Sequence, residues 1–236
     1  MKGLLVRVGA DQSAGGGHWN GPVNSRSREF VYVAIPESSR SHEGLNKPYA
    51  DVCGVLGAFG HPLPTRLVDR DMHLDPDFEH LTYGDQGERG KQLLAKVGAG
   101  DLLVFYAGLR DVLRPKRLVY AIVGLFVVDE IVHARDVAPD RWAENAHTRR
   151  ELKPDAGDVV VRARPSESGR LERCIPIGDF RERAYRVWPH LQEEWGGLGV
   201  RDGYLQRSAR LPEFVDAQRF HDWFRVQHVG LIQRNN

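Results

Sequence analysis

Two nearly continuous apolar runs constrain this chain most. Residues 101–107 (Asp-Leu-Leu-Val-Phe-Tyr-Ala) and 118–128 (Leu-Val-Tyr-Ala-Ile-Val-Gly-Leu-Phe-Val-Val) lack the polar alternation of a half-exposed strand, and both are too short to span a bilayer. Runs of this kind predict strands covered on both faces at the centre of a sheet. The segment between them carries Arg110, Arg114, Lys116 and Arg117, so a basic tip joins two apolar strands.

Other segments surround this pair. Gly3 to Gly9 reads as a first strand and Glu29 to Ile35, ended by Pro36, as a second, and the two are expected to pair. The 19 residues between them, with Gly15-Gly16-Gly17 and the turn signal Asn20-Gly21-Pro22, are too many for a tight hairpin. Helices are expected over Asn46–Phe59, Gln86–Val97 and Ala138–Asn145, and strands over Asp158–Ala163 and Leu171–Ile177. Phe180–Trp195 has helical character broken by Pro189. Pro212–Gln227 reads as an amphipathic helix burying Phe214, Val215, Phe220, Trp223 and Phe224. Neither a repeat nor a linker divides the chain, and there is no regular βαβ alternation. The expectation is one α+β domain over residues 1–236, with a mixed or barrel-like sheet and peripheral helices.

Composition excludes several classes. Lys plus Arg is 33 and Asp plus Glu is 32, which rules out a protein acting by bulk positive charge. The bases are mostly arginine, 27 against 6 lysines, the side chain suited to bidentate contacts with phosphates and base edges and also the one that high-GC coding favours. Cys53 and Cys174 make neither a disulfide framework nor a zinc knuckle and read as core residues. The opening residues are too polar for a secretory leader, so the expectation is a cytoplasmic protein without membrane contact.

Four constellations could carry chemistry. Between Asp69 and Glu88 stand seven acids against the single base Arg70, and His73-Leu74-Asp75-Pro76-Asp77-Phe78-Glu79-His80 lies among them. His73, Asp75 and Asp77 so close together could transfer protons or ligate a divalent ion. Capping of a helix opened by Asp75-Pro76 would account for the acids. It would not account for the histidines, nor for Thr82-Tyr83-Gly84-Asp85. In Asn145-Ala146-His147-Thr148-Arg149-Arg150, Asn145 and the arginines could read base edges or phosphates and His147 could move a proton; a polar linker is the plain alternative. Ser168-Gly169-Arg170 could offer a turn and a guanidinium to a phosphate. Gly15-Gly16-Gly17 with Trp19 and Asn20 allows close backbone approach, and Trp19 could stack on a base. Phosphate-loop, dinucleotide, serine-hydrolase and metalloprotease signatures are absent.

Several of these pieces occur in a familiar order. Leu5-Val6-Arg7-Val8-Gly9-Ala10-Asp11, Trp19-Asn20-Gly21-Pro22-Val23 and Phe30-Val31-Tyr32-Val33-Ala34-Ile35-Pro36-Glu37 resemble the start of the third nucleotide-modification-associated domain family. The resemblance runs on through residues 73–79 and 82–85, through Gly100 to Leu109, and through Asn145-Ala146-His147. It implies a role in bacterial and phage systems that hypermodify DNA bases, and carries over no catalytic residues. Gly100 to Tyr106, followed by a basic turn and a long apolar strand, also resembles the barrel strands of the PUA, ASCH and EVE group, which grip RNA or an extruded base.

These observations lead to a protein that acts on or recognises a base in nucleic acid, with DNA favoured over RNA, alongside other proteins of a modification system. His73, Asp75, Asp77 and His147 are the expected catalytic groups. Asp11, Trp19, Asn20, Tyr83, Asn145, Arg149, Arg150, Ser168 and Arg170 are expected to hold the base or the nucleic acid. The sequence assigns no metal centre and identifies no cofactor. The rival readings are a reader without chemistry, a metal-dependent nuclease built on the acidic stretch, and an enzyme of free nucleotides.

Overall fold

The computed structural model describes residues 1–205 and 210–236. Its strands are β1 (Gly3–Arg7), β2 (Pro22–Val23), β3 (Ile35–Pro36), β4 (Met72–His73), β5 (Thr82–Asp85), β6 (Leu102–Asp111), β7 (Leu118–His133), β8 (Val159–Ala163), β9 (Gly169–Arg181), β10 (Ala184–Val187) and β11 (Leu231–Ile232). The α-helices are α1 (Cys53–Ala58), α2 (Thr65–Val68), α3 (Gly87–Lys96), α4 (Ala146–Arg149), α5 (Pro189–Glu194) and α6 (Ala217–Arg225), with short 3-10 turns between.

The two apolar runs form β6 and β7, paired antiparallel at the centre of the main sheet and buried along most of their length. β7 is long enough to serve two neighbourhoods. Its first half lies between β6 and β9, and beyond an irregularity at Val128/Glu130 its second half pairs with β8, which pairs with β5. The strand order is β1-β6-β7-β8-β5, and β1 and β5 stand at opposite ends. The fold is α+β with a mixed sheet. The barrel expectation is corrected, because the end strands β1 and β5 do not pair and the sheet is not closed.

Aromatic packing fixes this centre. Phe78 meets Phe105 and Phe126 edge to face at 5.9 and 5.7 Å. It enters the sheet at Gly124, where an added Cβ would lie 2.3 Å from its ring. A second cluster, Trp195 with Phe214, Phe220 and Trp223, packs α5 against α6.

Several expectations fail locally. β1 pairs parallel with β6, Gly3 opposite Leu102 through Arg7 opposite Tyr106, and not with residues 29–35. The latter segment is buried and apolar, but its backbone bonds are scattered: Val31 N–H to the Pro22 carbonyl of β2, Ala10 N–H to the Val33 carbonyl, and Tyr32 N–H to the Asn236 side chain. Apolar character there reflects burial, and only the last residue, Ile35, joins a ladder, with β4. Residues 180–187 form a hairpin and only 189–194 are α-helical, with Pro189 opening the helix, where its missing N–H costs nothing. The last helix begins at Ala217, capped by Asp216, and leaves Val215 70 % exposed. Asp75-Pro76 opens no helix; that peptide bond is cis and a turn follows, closed by paired bonds between Asp77 and Thr82. Cys174 is buried as expected, whereas Cys53 is exposed on α1.

Candidate functional site

Four local arrangements bring polar side chains to one cavity of about 230 Å³. β4 pairs with β3, His73 opposite Ile35, and the chain two residues beyond Ile35 presents Glu37 to the His73 ring. Asn145 caps the single turn α4 by accepting from the His147 N–H at 2.8 Å, which aims the His147 ring inward. That ring lies against β5 at Gly84, where a Cβ would come within 2.3 Å of His147 Cδ2 and 2.6 Å of Asn145 Oδ1. Asp158, at the start of β8, stands on the far side of His147.

The two histidines are held alike. His73 Nδ1 is 2.6 Å from Glu37 Oε2, and His147 Nδ1 is 2.6 Å from Asp158 Oδ1. Their Nε2 atoms then face each other at 3.3 Å. Asp75 fixes one carboxylate oxygen by accepting from Gly84 N–H at 2.8 Å and Asn145 Nδ2 at 2.9 Å. Its other oxygen, Oδ2, lies 3.9 Å from His147 Nε2, and the side chain is only 6 % exposed. Burial pushes the Asp75 carboxyl above the usual carboxylate range, against the pull of both histidines and Asn145. Burial pushes the His147 imidazole down, against the Asp158 hydrogen bond. Burial works against Glu37 as a carboxylate, yet the His73 hydrogen bond and charge outweigh it and bring its pKa to about 2.

Arginines complete the walls. Arg89 bonds the Tyr83 hydroxyl at 2.8 Å and pairs with Asp85 at 2.9 Å, while the Tyr83 hydroxyl donates to Asp85 at 2.5 Å. Arg150 pairs with Asp158 and reaches Gln86 Oε1 at 2.8 Å. Arg7 lies 3.3 Å from Asp11, whose carboxylate is also wrapped by Ser13 and by Gly16, a glycine with no room for a Cβ. Of the described residues, His73, Asp75 and His147 bring donor atoms within 4.8 Å of one another, the set that could share a metal ion.

The expected site residues therefore separate. His73, Asp75, Tyr83, His147, Arg150 and Asp11 line the cavity, and Asn145 braces it from behind. Asp77 does not: it is fully buried and bound to Arg149, His80, Asn235 and two backbone N–H groups. Arg149 is spent on Asp77 and on the Leu74 and Ala143 carbonyls. Trp19 stacks on His61, and Asn20 donates to the Gly108 carbonyl from a fully buried position. Ser168 Oγ accepts from Val127 N–H inside the sheet. Arg170 bonds the Arg234 and Leu171 carbonyls and covers the Phe30 ring, and burial together with Arg234 brings its pKa down to about 10. The acidic stretch makes no continuous acidic face, since Asp75 and Asp77 turn inward and Asp85 is paired. Sequence reasoning missed Glu37, Asp158, Arg7 and Arg89. Only Glu37 and Arg7 lie within the motifs that carry the family resemblance, and no spacing rule links any of the four to a histidine.

A second surface adjoins the first. The exposed tip residues Arg114, Lys116 and Arg117 line a groove of about 870 Å³ with Phe180 and Tyr185. Phe180 is 63 % exposed and meets Tyr185 at 5.0 Å; Tyr185 stacks on Tyr120 at 3.9 Å; the Arg7 guanidinium sits 5.6 Å over Tyr120. One chain of ring contacts thus runs from the cavity wall to the basic tip.

No helix among the described residues is long and apolar enough to cross a membrane. A family model described as nucleotide modification associated domain 3 matches residues 2–216, most of the chain. No curated protein and no solved structure matches.

Proposed function

The chain belongs to the nucleotide modification associated domain 3 family and so has a part in nucleotide modification, and from that premise we propose that it is a base-directed enzyme of a DNA base modification system. The cavity beside His73 and His147 is its active centre. The observation that carries this reading is the meeting of His73, Asp75, Tyr83 and His147, from three separate segments, in one polar recess. A recess of about 230 Å³ lies below the ~300 Å³ floor of pockets for drug-sized ligands. It suits one ring with its exocyclic groups, such as a base turned out of its stack.

The basic tip supports the same reading. Arg114, Lys116 and Arg117 hold phosphates while exposed Phe180, beside half-buried Tyr185, offers a ring face to a neighbouring base. Local charge of this kind binds a polymer without a large net charge. While the cavity holds no ion, burial favours a protonated Asp75 as proton donor and a neutral His147 as acceptor. Other proteins of the modification system supply or consume the altered base.

Two measurements test this. Fluorescence anisotropy with single-stranded DNA, RNA and free nucleotides, each at two salt concentrations, should give salt-weakened binding, tightest for DNA. Nucleoside mass spectrometry of DNA from bacteria producing the chain should reveal a mass absent with Asp75→Asn. Binding without a new nucleoside would make the protein a reader. No affinity for any of the three ligands would overturn the nucleic-acid reading.

A further inference from the structure

We propose that the cavity binds one divalent transition-metal ion through His73 Nε2, His147 Nε2 and Asp75 Oδ2. The inference rests on the active-centre reading only for its purpose; the site itself is argued from geometry.

Each imidazole has its Nδ1 against a carboxylate oxygen at 2.6 Å, Glu37 for His73 and Asp158 for His147. A carboxylate only accepts, so Nδ1 carries the proton, and in the neutral ring Nε2 presents a lone pair. Carboxylate–histidine pairs of this form are what orients metal-bound imidazoles. Two neutral rings so held set two lone pairs 3.3 Å apart, an arrangement that repels unless a proton or a metal ion joins them. An ion at the usual ~2.05 Å zinc–imidazole distance would see nitrogens 3.3 Å apart at an angle of about 107°, near the tetrahedral value. The separation of the two nitrogens therefore fits a single ion.

Asp75 supplies the third ligand. Its Oδ1 is pinned by Gly84 N–H and Asn145 Nδ2, which leaves Oδ2 to swing about that anchor. Oδ2 now stands 3.9 Å from His147 Nε2, about 0.5 Å wider than a tetrahedral ion would set. Drawing it inward completes a two-histidine, one-carboxylate set in the cavity that Tyr83 and Arg89 also line. Ligands of this hardness select zinc, iron(II) or manganese(II) over calcium or magnesium. The stretch that carries two of the three ligands also holds Asp77, which Arg149 removes from reach.

The test uses the full chain, stripped with a chelator and dialysed against zinc, manganese(II), iron(II) or cobalt(II) in turn, with bound metal counted by elemental analysis. One ion per chain is expected, and cobalt should give the visible bands of a low-symmetry nitrogen–oxygen site. The double variant His73→Gln/His147→Gln should lose both signals, whereas His190→Gln, an exposed histidine far from the cavity in sequence, should keep them. Glu37→Gln and Asp158→Asn leave all three ligands in place and should weaken binding by roughly 10–100-fold, which keeps the test decisive if the double variant does not fold. Failure to bind any of the four ions, or one-to-one binding unchanged in the double variant and in both single variants, would overturn the proposal. Base binding with no metal binding would sink this inference alone; metal binding with no affinity for nucleic acid or nucleotides would sink the functional reading alone.

Discussion

Arg149→Met isolates the difference between a working carboxylate and a structural one. Asp77 is fully buried, and Arg149, itself 3 % exposed, supplies its only guanidinium partner among the described residues, Nη1 to Oδ2 at 2.9 Å. Methionine keeps the side-chain length but leaves the carboxylate to His80, Asn235 and two backbone N–H groups. It also orphans the Leu74 and Ala143 carbonyls. Removing one partner of a buried pair costs about 3–5 kcal/mol. For a chain of this size that corresponds to roughly 6–20 °C of melting temperature. Adding Asp77→Asn to Arg149→Met removes the stranded charge and should recover part of the loss, giving a coupling energy in the double-mutant cycle. Acid adds a second signature. Burial opposes ionisation of Asp77, but the His80 hydrogen bond and the Arg149 charge outweigh it and hold its pKa well below the usual range. A depressed carboxyl contributes stability that is present above its unfolded pKa of about 3.9 and is lost as the pH falls toward the folded value. The gap between wild type and Arg149→Met should therefore be widest at neutral pH and narrow below about pH 4. Urea denaturation across pH measures both effects. A loss under about 1 kcal/mol, the median worth of an exposed pair, or a gap that grows in acid, would refute the structural role given to Asp77.

Two further outcomes follow from other parts of the molecule. Gly84→Ala drives a methyl group against His147 and Asn145; it should cost roughly 1–3 kcal/mol in urea denaturation, and it should abolish any new nucleoside while leaving polymer binding through the tip intact. Replacing Arg114, Lys116 and Arg117 together by alanine should weaken single-stranded DNA binding and flatten its logarithmic salt dependence by up to about 0.7 for each phosphate no longer neutralised, with the melting temperature unchanged because all three side chains are exposed.

The central strands were legible because burial on both faces leaves one sequence signature, an unbroken apolar run, and β6 and β7 carry it. The same signature misled at residues 29–35, where the backbone bonds are scattered among separate segments and the Asn236 side chain, and only Ile35 joins a ladder. Asp75-Pro76 read as a helix start because capping is local chemistry. What decides its conformation is tertiary: Asp75 is drawn to Gly84 and Asn145, and Asp77 to Arg149. Among the site residues, those concentrated in polar motifs, His73, Asp75, Tyr83 and His147, could be found. Asp158 could not, because an acid opening a strand looks the same whether or not a histidine from 11 positions earlier folds onto it. Arg7, Arg89 and Glu37 likewise acquire meaning only from their partners.

The cavity draws its walls from segments as far apart as Arg7 and Arg150, and each histidine is tethered to a carboxylate from another segment. Whatever occupies it must hold those segments to one another, and the unfolded chain has no such pocket to offer. Occupancy and folding are then linked by mass action: a ligand free at 100 times its Kd adds about 2.7 kcal/mol, roughly 5–11 °C for a chain of this length. The molecule thus contains its own detector. A library of bases, nucleotides, short oligonucleotides and metal ions, read by nothing more than the melting curve, can nominate its natural ligand before any reaction is known.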